Sequence, residues 1–184
     1  MAESTRARMV TAAVESLRRR GLAGMSFTEV LADSGAARGA IYHHFPGGKA
    51  QLVTEAAQLH GQQVADRLTD ISGASPRAVV EAFLDLVRPV VEDSTRGCGC
   101  AIAAVTVSVD DDHSELLRTA AAAFASWAHQ LAVALTDAGM PEARAEDLAQ
   151  LLIALLEGAQ VLCRADSSTT AFEQAARAAL AATP

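Results

Sequence analysis

Between Ser26 and Gly48 the chain is punctuated so closely that only short helices fit. Ser26-Phe27-Thr28-Glu29 reads as a capping box, in which the Ser26 hydroxyl accepts from the Glu29 amide and the Glu29 carboxylate reaches back to the Ser26 amide. The helix that starts there turns Phe27, Val30 and Leu31 inward and stops at Gly35, where glycine accepts a positive φ without steric cost. A second helix begins near Arg38 and must end near Phe45, because Pro46-Gly47-Gly48 breaks it. Two short helices joined by a tight glycine turn are a helix-turn-helix.

The rest of the 184 residues also read as helix. Apolar residues make up 51% of the chain and aromatics only 4%; Ala and Leu, which carry small helical penalties, dominate. A first helix is expected from about Ser4 to Arg20, with Met9, Ala12, Ala13, Ser16 and Leu17 at helical spacing and Gly21 as its stop. A fourth runs from about Lys49 to Ile71. Pro76 behind Ser75 starts a fifth, reaching about Val91. The β-branched stretch Cys98 to Val109 is locally ambiguous. Asp112 is expected to cap a long segment from His113 to Ala138, and Gly139-Met140-Pro141 to end it. Segments from about Ala143 to Arg164 and Thr170 to Ala182 complete an all-α chain of about nine helices.

Net charge is −7, yet the charge is unevenly placed. Residues 1–49 hold seven Lys or Arg against four acids, a local +3, and the remainder carries −10. A basic head on an acidic body lets the local field, rather than the total, meet phosphates. Ile41 and Phe45 share the face of the third helix that packs inward; Gly39 and His43 point nearly opposite, flanked by Ala40 and Tyr42. That outward face is short, small and free of acids, as entry into a major groove requires. Arg38, Tyr42, His43 and Lys49 can reach phosphates, and Arg38 and His43 base edges as well. Ser26 and Thr28 lie at a helix N-terminus, where free amides favour a phosphate.

The string SFTEVLADSGAARGAIYHHFPGGKAQL closely resembles the DNA-binding signature of TetR-family regulators. The resemblance implies that Arg38, Gly39, Ala40, Tyr42, His43 and Lys49 occupy operator-contacting positions. Ala37 departs from the Ser or Pro that opens this helix in many members, leaving that end without a side-chain cap. HHFPGGKAQL, Gly97-Cys98, the Phe124 to Trp127 region and Leu156-Glu157-Gly158-Ala159 are similar to an LmrA/YxaF-type subgroup. That resemblance implies repression of drug-export or oxidoreductase genes and a response to aromatic ligands.

Other residue groups have plainer readings beside their sharper ones. His43-His44 could suggest a metal, but neighbours on a helix diverge by about 100°. Cys98-Gly99-Cys100 has no second pair at ligand spacing, so two small thiols are the plainer reading. Asp110-Asp111-Asp112 with His113 reads as a solvated loop capping the next helix rather than a cation site. Glu157 either faces a cavity or partner or sits at a solvent edge. Trp127 is core by default and a pocket wall by the sharper reading. No metal or other cofactor is expected.

Three cysteines make no disulfide framework in a chain of this size, and no apolar leader with a cleavage site opens it, so a cytoplasmic protein is expected. The run Leu148 to Leu162 is broken by Gln150, Glu157 and Gln160 and is shorter than the roughly 20 residues that span a bilayer, so no membrane partner is expected. No nucleophile–base pair, phosphate loop or metal set supports an enzyme.

The expected organisation is a helix-turn-helix DNA-binding domain over 1–49 and a ligand-binding and dimerisation domain over 50–184. The expected effector site, for a small hydrophobic or aromatic molecule, is lined by Phe83, Val87, Val105, Phe124, Trp127, Leu131 and Gln160. The segment Ala143 to Arg164 is apolar on more than one face, so a homodimer through the last two long helices is expected. The expected function is repression through double-stranded operator DNA, relieved by the effector. The alternative is a transcription factor without an effector, controlled by a protein partner or acting as an activator.

Overall fold

A computed structural model of the protein describes residues 4–108 and 114–184, and those residues form nine α-helices and no strand. They are α1 (Thr5–Gly24), α2 (Phe27–Ser34), α3 (Ala40–His44), α4 (Gly48–Thr69), α5 (Pro76–Thr95), α6 (Ala101–Thr106), α7 (Ser114–Asp137), α8 (Glu142–Asp166) and α9 (Thr170–Ala182). The capping expected of Asp112 and the acidic run Asp110 to Asp112 with His113 lie outside the described residues.

The chain packs as two compact units. The first comprises Met1–Gln62 with Cys100–Ala123, and the second Gln63–Gly99 with Phe124–Pro184. The first packing unit therefore runs past residue 49 and takes in α6, which lies against α1.

In the first unit, Met9, Ala13 and Leu17 of α1 are fully buried with Val30 of α2, Leu52 and Ala56 of α4, and Ile102 of α6. The Ser4 hydroxyl caps α1 by accepting from the Ala7 amide at 3.1 Å. Gly21 interrupts α1 rather than ending it: at φ 68° and ψ −179° it leaves the helical region, and one further turn follows to Gly24. Only a residue without Cβ takes that conformation cheaply, so the expected stop is a kink.

Cys98 to Val109, ambiguous in sequence, contains the short helix α6. Its start is fixed by an unusual cap, the Cys100 thiol accepting from the Ala103 amide at 3.5 Å. Tertiary packing of Ala101, Ile102 and Val105 overrides the strand preference of the β-branched residues.

The second unit is built on α8, which packs against both α5 and α9. Val79, Val80, Phe83, Leu84, Val87 and Val91 line the buried side of α5 at helical spacing. Leu152, Ile153, Leu156, Ala159 and Cys163 of α8 and Phe172, Ala176 and Ala179 of α9 are buried in the same unit. Arg88 ties α5 to α9: its guanidinium lies 5.3 Å from the centroid of the Phe172 ring and pairs with Glu173. By length and hydropathy alone α8 is enough to cross a membrane, but its inward residues make it the central helix of this unit.

Candidate nucleic-acid interface

Only five residues of α3 are helical, and Ile41 and Phe45 anchor them, 2% and 0% exposed. Burying those two side chains stabilises the element by roughly 1.5–3 kcal/mol each, which a helix too short to persist alone needs. The helix starts at Ala40, two residues later than expected; Arg38 and Gly39 form the turn before it. Gly39 caps it with no side-chain hydrogen bond, as the alanine at 37 implied, and the Ala40 amide donates to the Ala37 carbonyl at 2.9 Å.

The outward side holds what the spacing predicted. Arg38, Gly39, Tyr42 and His43 are exposed, and Ala40 is half-buried beside them. Tyr42 is 69% exposed, a high value for an aromatic ring, and stands edge-on to Phe27 at 6.1 Å. Arg38 and Tyr42, with Phe27, Thr28, Leu31, Ala32, Ala36 and Ile41, line an open cleft of about 560 Å³ between α2 and α3. The arrangement offers hydrogen-bond donors and a flat ring on a surface without an acidic side chain.

At the start of α2 the Ser26 hydroxyl accepts from the Glu29 amide at 3.3 Å, and Thr28 is exposed. Only half of the expected capping box forms. The Glu29 carboxylate turns instead to the Arg20 guanidinium, which α1 supplies from nine residues upstream. A full charge outbids a backbone amide for a carboxylate. Gly35, at φ 66°, then ends α2 in the left-handed conformation that its type predicts.

Lys49 is exposed in the first turn of α4, and its Nζ donates to the Leu22 carbonyl at 3.0 Å. Sequence reasoning missed this contact and the Arg20–Glu29 pair, because neither partner lies within a helical turn of the other. It also missed a polar cluster of Arg6, Gln51 and Glu55 behind α3. The i to i+4 spacing of Gln51 and Glu55 was its one visible signal.

A bacterial regulatory protein model of the tetR family matches residues 10–56, which hold all of α2 and α3. A second model, the C-terminal domain of LmrA/YxaF-like transcriptional regulators, matches residues 76–178, more than half of the chain. The chain belongs to the TetR family of transcriptional regulators. An HTH-type transcriptional regulator of Mycobacterium tuberculosis is 34% identical over 176 residues, covering 93% of this chain and 90% of that one. LmrA of Bacillus subtilis is 28% identical over 172 residues, covering 90% and 89%. A TetR regulator of Legionella pneumophila has the same fold, with a TM-score of 0.85 at 21% identity and coverage of 100% and 99%. As a TetR-family regulator the protein binds DNA and is not an enzyme.

The TetR-family C-terminal match also covers all of the residues expected around an effector. Phe83, Val87, Trp127, Leu131 and Gln160 are all buried in the second unit, and Phe124 is half-buried. Phe124 and Trp127 meet edge to face, with centroids 5.2 Å apart. Val105 is buried too, but on α6 of the first unit. Gln160 is 5% exposed, and its Oε1 has no hydrogen-bond partner. A buried amide oxygen left in that state costs about 1–3 kcal/mol.

Proposed function

We propose that the protein is a homodimeric, cytoplasmic repressor that reads a palindromic operator through α3 and leaves it when a small hydrophobic or aromatic effector enters the second unit. The regulated gene encodes a drug exporter or an oxidoreductase. The observation that carries the DNA-reading role is the acid-free face of Arg38, Gly39, Ala40, Tyr42 and His43, held outward by buried Ile41 and Phe45. Ser26, Thr28 and Lys49 serve the flanking phosphates.

A dimer is favoured by apolar side chains that the last two long helices leave in water. Val133 on α7 and Leu151, Val161 and Leu162 on α8 are exposed, Val161 by 69%. Exposed apolar side chains on these helices suit a twofold interface, and two heads about 34–36 Å apart then meet successive major grooves. An effector is favoured by Gln160, whose unused acceptor sits in the same unit as the buried Phe83, Val87, Trp127 and Leu131. For release, the effector must bind the DNA-free state more tightly than the DNA-bound one.

The test is fluorescence anisotropy of the whole protein on its own flanking intergenic DNA, beside a scrambled duplex, at two salt concentrations. Salt-sensitive binding that prefers the native duplex supports the reading, and so does its reversal by an aromatic compound. Absence of binding even at low salt, where phosphate contacts are strongest, removes it.

A further inference from the structure

Around the turn that ends α3, polar contacts close into a circuit. The Gly47 amide donates to Gln51 Oε1 at 2.9 Å, and Gln51 Nε2 donates to Glu55 Oε1 at 3.0 Å. The Arg6 guanidinium donates to the same Glu55 oxygen at 2.6 Å. Arg6 also lies over the ring of Phe45, 5.2 Å from its centroid. Phe45 is itself bonded on both sides, its amide to the Ile41 carbonyl at 2.7 Å and its carbonyl to the Gly48 amide at 2.9 Å. The circuit therefore joins the first turn of α1, the last residues of α3 and the first two turns of α4.

The two ends of α3 are held differently. Its N-terminal end has no side-chain cap, and five residues cannot maintain a helix or its direction unaided. Buried Ile41 and Phe45 anchor its inward face, and what the α3–α4 turn is tied to then refines how its C-terminal end is held. Gln51 bridges the turn to Glu55, because it accepts from the Gly47 amide through its oxygen and donates to Glu55 through its nitrogen. Glu55 gathers two donors on one oxygen and holds Arg6 over Phe45. A charged acceptor makes both bonds stronger than a neutral one would.

We propose that Gln51 and Glu55 are positioning residues for operator recognition. Through Gly47 and Arg6 they fix the exit of α3, and with it the register of Arg38 and His43 against base edges and of Tyr42 against phosphate. The inference rests on the DNA-reading role given to α3 and adds the residues that act through it without touching DNA.

Gln51→Ala tests this in the whole protein, because it cuts the circuit without altering net charge. Gln58→Ala, at an exposed position further along α4, is the control. Anisotropy should show operator affinity falling about fivefold or more in Gln51→Ala, the worth of one hydrogen bond, with binding to a scrambled duplex kept within about twofold. Gln51→Ala with Glu55→Gln should be little weaker than Glu55→Gln alone, since both break one circuit. Equal losses on both duplexes, additive effects, or behaviour like Gln58→Ala overturn the proposal. If the wild type prefers no duplex, the repressor reading fails by itself, and hydrogen exchange at the Gly47 amide decides. Exchange about tenfold faster in Gln51→Ala supports the tie, and unchanged exchange overturns it.

Discussion

Lys49 and Leu22 are joined across 27 positions of sequence, the lysine Nζ donating to the leucine carbonyl at 3.0 Å. The bond satisfies a carbonyl in the last turn of α1, just beyond the kink at Gly21, and holds a cation in the first turn of α4. A lysine held this way presents its charge from a fixed place. Replacing it with Gln should weaken operator and scrambled duplexes alike and lower the slope of log affinity against log salt by about 1. Titrations at four salt concentrations read that slope; an unchanged slope would show that Lys49 neutralises no phosphate.

Arg38 should behave in the opposite way. It is exposed in the turn that leads into α3, where a guanidinium can reach a guanine edge. Arg38→Ala is expected to cost about 1–3 kcal/mol on the operator and to relax base preference at one position of each half-site. Binding to a panel of single-base operator variants checks it, and a uniform loss across the panel would place Arg38 on the backbone instead.

Phe45 is completely buried, so its removal is a packing experiment. Phe45→Ala should destabilise the first unit by about 3–5 kcal/mol, and Arg6 should lose the ring beneath it. Denaturant unfolding measures the loss. A cost under about 1 kcal/mol would mean that α3 is not anchored there.

Gln160 predicts a trade between stability and response. Leucine at this position removes the unpaired Oε1 at similar volume, so Gln160→Leu should raise stability by about 1 kcal/mol. The same change should weaken the effector-induced change in Trp127 fluorescence, since that acceptor is assigned to the ligand. Retained response with raised stability would separate Gln160 from the effector site.

The apolar face of α8 gives a prediction about assembly. Charges at Leu151 and Leu162, as Leu151→Glu with Leu162→Glu, should convert a dimer into a monomer that sediments singly and loses operator affinity. Sedimentation velocity at micromolar concentration decides; a persistent dimer would place the interface elsewhere.

Much of the fold was legible because its signals are local. Ser26 and Gly35 bound α2, Ser75-Pro76 opens α5, and α9 runs from Thr170 to Ala182 as the periodicity indicates. The outward set on α3 followed from one inward pair, Ile41 and Phe45, since a helix has few ways to place two large residues. What was not legible depends on partners distant in sequence. Glu29 abandons its own cap for Arg20, and α6 forms in a stretch whose β-branched residues left it ambiguous because it rests on α1. Arg6 finds Glu55 from 49 positions away, and no spacing rule reaches that far. Val105 fell to the first unit for the same reason: neighbourhood in space outran neighbourhood in sequence.

The first unit is assembled from two separate stretches of chain, Met1–Gln62 and Cys100–Ala123. A regulator whose head were a continuous segment could exchange its operator preference by one genetic crossover. Here a crossover after residue 62 would leave the imported α1 facing an α6 that had been selected against a different neighbour. New operator preferences in such a chain are therefore reached more readily by point changes on the surface of α3 than by shuffling whole heads, and a grafted head must bring residues 100–123 with it.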